Sequence, residues 1–360
     1  MNNKSHPSAA SRTLRFGGIG WILLLLGVMI VAVLARHLPR LIRAIELTES
    51  GGPTEANLNG FTLDPILIDR EELGWFSAAD EVHPIDTPQL ITVEETLKLG
   101  HRFLVDTSIV IGVVIGGQAR AYPERVVQVH EVVNDTVGGV AIAIVHQPLI
   151  GLSAVFRRPL DGSLPVLLGN SGLVVDSCPL LHDRLGANRR SEETLWSPLR
   201  AEAVAGVGVK EGKTLELVPH RRISWRNWRE EHPEGRVLAM EASHKSLYRK
   251  EPFNTYRFRG APRFPVSPLP DETSSRALFA RMLVVPLGDR TLRVCLDEVI
   301  PIAATGGVWQ PTDFPGIKLV TDAASGTAYA SGPEGELLPA IEAYWFACFA
   351  HRDGGRATGQ

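Results

Sequence analysis

Three histidines, His130, His146 and His182, stand beside short polar clusters in a chain otherwise rich in aliphatic residues. His130-Glu131 is followed by Asn134-Asp135, and His182 by Asp183-Arg184, with Cys178 just upstream. Imidazole and thiolate donors suit copper or zinc, so His130, His146 and His182 make a candidate metal set. No two of them have tight ligand spacing such as H-x-x-x-H. Each also has an ordinary use: an imidazolium meets the dipole at a helix end, and a lone strand-end histidine is a common surface residue. Alternatively, His130 could act as a general base for a hydrolase, with Asn134-Asp135 to orient it. Ser153, Ser171, Ser177 and Ser197 offer hydroxyls, but none lies in G-x-S-x-G, and the chain has no phosphate loop. The least demanding reading is a non-catalytic binding or envelope module on a rigid β scaffold. Trp196, Trp225 and Trp228 would then serve packing.

The elements that must position these residues centre on Val110–His146. Val110–Ile115 is a β-branched run, Gly116-Gly117 supplies the positive φ of a tight hairpin turn, and Gln118–Tyr122 runs back. Pro123 opens a helix in which Val126, Val129, Val132 and Val133 share one face. Asn134-Asp135 and Gly138-Gly139 end it, and Val140–Val145 reads as a strand. Upstream, Thr92 and Glu95 make a capping box. Downstream, Leu152–Arg157, Leu164–Leu168, Leu173–Asp176, Glu202–Gly206 and Thr214–Val218 read as strands, and Cys178–Arg184 as a loop. Gly169–Gly172 reads as a break, and Ser224–His232 as a short helix closed by Pro233. Frequent strands joined by glycine turns with short helices predict an α+β fold, mostly antiparallel.

Later residues echo this unit. Arg281–Pro286, a turn at Leu287-Gly288-Asp289 and Arg290–Cys295 repeat the hairpin logic, and YWFACFAHRDGG echoes WRNWREEHPEG. This reads as a degenerate internal duplication; the alternative is that any strand–Gly–strand unit looks alike.

Composition bounds the setting. The 360 residues are 44% hydrophobic and 21% charged, with net charge −3, so no basic field argues for nucleic acid. Gly17–Ala35 is an uncharged apolar run close to the ~20 residues that cross a bilayer as a helix. It predicts an uncleaved signal anchor at the cytoplasmic (inner) membrane, single-pass, with the N-terminus inside and the main domain extracytoplasmic. The identity of a protein or small-molecule partner is left open. Expected boundaries are a disordered N-terminus at 1–15, the membrane helix at 16–36, a juxtamembrane helix and linker at 37–60, and a core domain at 61–243. A surface excursion follows at 244–275, an α+β continuation at 276–352 and a tail at 353–360. Cys178, Cys295 and Cys348 are far apart and lack any C-x-x-C, and their apolar neighbours suggest buried thiols.

In order and spacing, ARAYPERVVQVHEVVNDTVGGVAIAIVHQPLIGLSAVF, GNSGLVVDSCPLLHDRLG, ETLWSPLRAEAVAG and WRNWREEHPEG resemble the family catalogued as domain of unknown function 3179, over about residues 80–240. That resemblance implies a domain and no reaction, in proteins commonly exported or membrane-anchored. It places the family's His-Glu-(aliphatic)₂-Asn-Asp element on His130–Asp135, with His130, Glu131, Asn134 and Asp135 as candidate functional residues. It likewise marks Asp183, Arg184 and Trp196. Where members usually carry Tyr-Cys-Pro-Leu, this chain has His146-Gln147-Pro148-Leu149, so a thiol is lost. His182 stands where members tend to have Tyr.

Overall fold

The computed structural model describes residues 58–351, apart from 100–103, 249–252, 254–255, 272–273, 275, 304–306 and 324. The expected membrane helix at 16–36, the segment 1–15, most of 37–60 and the tail 353–360 lie outside the described residues. Among those described, no helix is long and apolar enough to cross a membrane.

The first hairpin pairs Ile109–Ile115 with Gln118–Pro123, from Val110 opposite Pro123 to Ile115 opposite Gln118. Gly116 (φ +56°) and Gly117 (φ +76°) make the turn, a conformation whose cost is low only without a Cβ. Helix Glu124–His130 follows and buries Val126, Val127 and His130. It is shorter than the valine spacing predicts. Glu131 has φ +60° and closes the helix with its N–H on the Val127 carbonyl, and Val132–Val137 is a strand. Its β-branched pair Val132-Val133 gains more from pairing with Val145 and Ile144 than from another helical turn. The meander continues through Val140–Gln147 and Leu152–Arg157.

The second hairpin, Arg281–Leu287 with Arg290–Cys295, leads into helix Leu296–Ala303 and a meander of Val308–Trp309, Lys318–Asp322 and Thr327–Ser331. Each hairpin takes a return strand followed by an aromatic-bearing helix. Arg221–Ser224 pairs antiparallel with Ile109–Ile115, Ser224 opposite Ile109, and helix Trp225–Glu231 follows. Ile341–Tyr344 pairs antiparallel with Arg281–Leu287, Tyr344 opposite Arg281, and helix Trp345–Ala350 follows. Arg222 and Glu342 therefore occupy corresponding positions, opposite Ile111 and Leu283.

Each return strand then lies against the other unit's meander. Glu342 pairs with Ser153, giving a six-stranded sheet in the order Arg290–Cys295, Arg281–Leu287, Ile341–Tyr344, Leu152–Arg157, Val140–Gln147, Val132–Val137. Thr327–Ser331 packs beside Arg221–Ser224, and the Ser224 N–H donates to Asp322 Oδ2 at 2.9 Å. The sheet thus draws strands from both sides of residues 244–275.

A further five-stranded sheet runs Leu73–Trp75, Leu168–Val175, Cys178–Asp183, Thr194–Ser197, Glu202–Gly206. Two expectations change here. Leu168–Val175 is one strand carrying an irregularity between Asn170 and Val174, so Gly169–Gly172 is not a break. Cys178–Asp183 is a fully buried strand rather than a loop. The remaining five-stranded sheet adds Arg236–Leu238 and Leu90–Thr92 to the first hairpin; Arg236–Leu238 runs parallel to Gln118–Pro123, while most pairs elsewhere are antiparallel. The capping box forms reciprocally, Thr92 N–H to Glu95 Oε2 at 2.7 Å and Glu95 N–H to Thr92 Oγ1 at 3.0 Å. All three cysteines are buried free thiols.

Candidate functional site

A cleft of about 490 Å³ opens where helix Glu124–His130, the end of strand Val140–Gln147 and the two return strands meet. Its floor is charged. Arg222 donates from Nε to Glu124 Oε2 at 2.8 Å and from Nη2 to the same oxygen at 2.6 Å, while Nη1 reaches Glu342 Oε1. Arg222 and Glu342 are 9% and 4% exposed, so this is a buried guanidinium shared by two carboxylates. Burial alone would lower the Arg222 pKa, but Glu124 and Glu342 outweigh it and hold the guanidinium charged. Burial pushes the Glu124 carboxyl up, and the Arg222 charge and hydrogen bonds outweigh it and bring it below the usual carboxylate range.

His146 completes the floor, with Nε2 at 3.9 Å from Glu124 Oε1. Burial pushes its pKa down, against the pull of Glu124, Glu342 and the Leu152 backbone. Its ring is therefore neutral at pH 7. Two buried atoms on this floor, His146 Nδ1 and Glu342 Oε2, make no hydrogen bond of good geometry among the described residues. Arg125, Arg257 and Arg281 also line the cleft. Arg281 is engaged by Asp297 and the Gly326 carbonyl, and Arg125 by the Tyr248 carbonyl.

The sequence-marked residues fall into separate places. His130, His146 and His182 do not converge, because each ring is committed to different neighbours. His130 bonds the His83 carbonyl through Nδ1 and the Tyr248 hydroxyl through Nε2, both at 2.8 Å. Burial lowers its pKa, the His83 hydrogen bond opposing. His182 sits 2.8 Å from Glu193 Oε2 and 3.3 Å from Asp80 Oδ1; burial acts against its charged form, yet these carboxylates raise its pKa overall. The only grouping of three metal-capable side chains among the described residues is His130, Glu241 and His244.

Several of the family-motif residues are latches. Asn134 Nδ2 donates to Asp86 Oδ1 and to the Leu168 carbonyl, and its Oδ1 accepts the Leu168 N–H, tying the meander to the neighbouring sheet. Asp135 accepts from Arg120 at 2.7 Å and from the Tyr122 hydroxyl at 2.6 Å. Asp183 accepts Trp196 Nε1 at 2.7 Å; burial raises its pKa, and that hydrogen bond opposes. Arg184 pairs with Asp80 and Asp86. Glu131 is buried with Oε2 unpartnered, and burial pushes its carboxyl to about 8. Cys178 is pushed to about 12, first by burial, with Glu131 adding to it.

Among the cleft's ionic floor, only His146 was marked by the sequence. Glu124, Arg222 and Glu342 were not, although a signal existed for Glu342: it is the only charge in the ten-residue run IEAYWFACFA. An ionic side chain in an otherwise apolar strand must find a partner when buried.

No curated protein and no solved structure matches the chain. The family model described as protein of unknown function (DUF3179) matches residues 79–299, more than half of the 360, extending past the expected limit near 240 into the second hairpin and its helix. The chain belongs to that family.

Proposed function

We propose that this domain binds a small organic anion in the cleft between its two hairpin units. The anionic end meets the arginine rim, and hydroxyl or amino groups meet the acceptors on the floor. The observation that carries the reading is the gathering of Arg125, Arg257 and Arg281 around an open polar cleft whose floor is the Arg222 network with Glu124 and Glu342. A volume of about 490 Å³ suits a ligand of metabolite size. Arginine favours carboxylate and phosphate through its planar fork of donors. Hydroxy acids, sugar acids and sugar phosphates have both kinds of group.

Calorimetric titration of the purified protein with citrate, glucuronate, glucose 6-phosphate and glutamate tests this. At least one should bind with Kd below about 1 mM, or roughly −4 kcal/mol. Arg257→Ala and Glu342→Gln should each weaken that binding roughly tenfold, the scale of one charge-assisted hydrogen bond. Silence across the four compounds, or affinities untouched by both substitutions, would remove the proposal.

A further inference from the structure

Away from the cleft, a second cluster brings together side chains of a different kind. His130, Glu241 and His244 each offer one ligand atom, and the three atoms lie within 4.8 Å of one another. His130 is the fixed member, 3% exposed at the end of helix Glu124–His130. Glu241 and His244 are adaptable, their side chains 39% and 31% exposed, and His244 Nδ1 lies 2.9 Å from Glu241 Oε2. They are placed by the short 3₁₀ turn Ala242–His244, for which Glu241 is the N-cap residue. Residues three apart on such a turn lie one above the other, so Glu241 and His244 share one face.

The hydrogen bonding of His130 supplies an independent observation. Its Nδ1 is 2.8 Å from the His83 carbonyl, which accepts only, so Nδ1 carries the proton and Nε2 presents its lone pair. Orienting an imidazole through a backbone carbonyl on its far nitrogen is the arrangement that metal-ligating histidines use. Nε2 points to the Tyr248 hydroxyl at 2.8 Å, and the rings of His130 and His244 meet edge-on with centroids 5.1 Å apart.

We propose that His130, Glu241 and His244 form a binding site for a divalent transition-metal ion, zinc being the ion of first choice. Two imidazoles and a carboxylate suit zinc, and their three atoms leave a position open for water or substrate. Bonds of about 2.1 Å would draw the donors closer than 4.8 Å, and the exposed Glu241 and His244 side chains can rotate to do so. The Tyr248 O–H must yield Nε2 to the ion, which sets the affinity below that of a preformed site. The site differs from the anion cleft in every ligand, so either can fail alone.

The test uses the full-length chain, freed of metal with chelator and titrated with zinc. One ion per chain is expected. His244→Ala and Glu241→Gln should each weaken binding at least tenfold, with the far-ultraviolet dichroism and the metal-free unfolding midpoint unchanged. A stoichiometry far below one, or full affinity in both variants, overturns the assignment; in the second case the ion is held elsewhere. Cobalt(II) loaded into the unaltered protein reads the site without any substitution. Strong visible bands of a four- or five-coordinate ion are expected, and the pale spectrum of the hydrated ion would overturn the proposal.

Discussion

Glu131 shows how one residue can carry both a backbone role and a titration. Its positive φ ends the helix, and its carbonyl accepts the His146 N–H at 2.9 Å, so the position joins helix, meander and cleft. Its carboxyl pays for that geometry by being buried without a partner for Oε2. With a folded pKa near 8 against an ordinary value of 4.5, the folded state holds a proton that the unfolded chain has released between those limits. The contribution of Glu131 is therefore undiminished below about pH 4.5 and is lost as pH rises towards 8. Urea unfolding of wild type and Glu131→Gln at pH 5 and pH 8 measures the difference. The substitution should be near neutral at pH 5 and stabilising at pH 8 by up to about 5 kcal/mol. Equal effects at the two values would show that the carboxyl is solvated. From the sequence, Glu131 was legible as part of a motif but not as an orphan, because its burial is decided by strands far away in the chain. Arg222 and Glu342 were hidden for the same reason: alone, each reads as a surface charge, and only their meeting makes a floor.

At the level of elements, the hairpins were the most legible parts, since Gly116-Gly117 and Gly288 mark turns by a local requirement that needs no tertiary context. Helix ends and buried strands were less so. The valine run after Pro123 fits a helix and a strand alike, and the neighbour Val140–Gln147 decides between them. Cys178–Asp183 carries Pro179, which argues against a strand locally, yet its pairing with Leu168–Val175 overrides that. Gly112 was not legible at all. A Cβ at this position would stand 2.1 Å from a Trp228 ring carbon, so the helix Trp225–Glu231 can lie on the hairpin only because residue 112 has no side chain. Trp228 is fully buried and cannot retreat. Gly112→Ala should lower stability by about 3 kcal/mol, the upper end of overpacking costs, in chemical denaturation. A loss under about 0.5 kcal/mol would mean that this helix shifts freely on the hairpin.

Across the whole molecule, the two hairpin units are interlocked rather than set side by side. The echo between them was visible in the sequence, but an echo says what recurs, not which strand pairs with which. The return strand Ile341–Tyr344 lies between Arg281–Leu287 and Leu152–Arg157, and Trp345, Phe346 and Ala347 share a core with Val145, Leu181 and Trp196. Ending the chain at residue 243 therefore does more than remove an appendage. It uncovers the Leu152-Ser153 end of the Leu152–Arg157 edge, whose other end stays covered by the Leu217 bridge, exposes that apolar core, and leaves Arg222 with Glu124 alone, where breaking a buried ionic network costs about 3–5 kcal/mol. A chain truncated after 243 should show no cooperative urea transition and should associate through the uncovered strand, as seen by light scattering. Supplying residues 276–352 as a separate polypeptide should restore a cooperative transition, because what is missing is a set of strands and not a covalent link. A truncated chain that unfolds cooperatively as a monomer, with a midpoint near that of the intact protein, would show the first unit to be complete alone. The cleft could not then depend on Glu342 for its shape, and the anion site would have to be sought within residues 61–243.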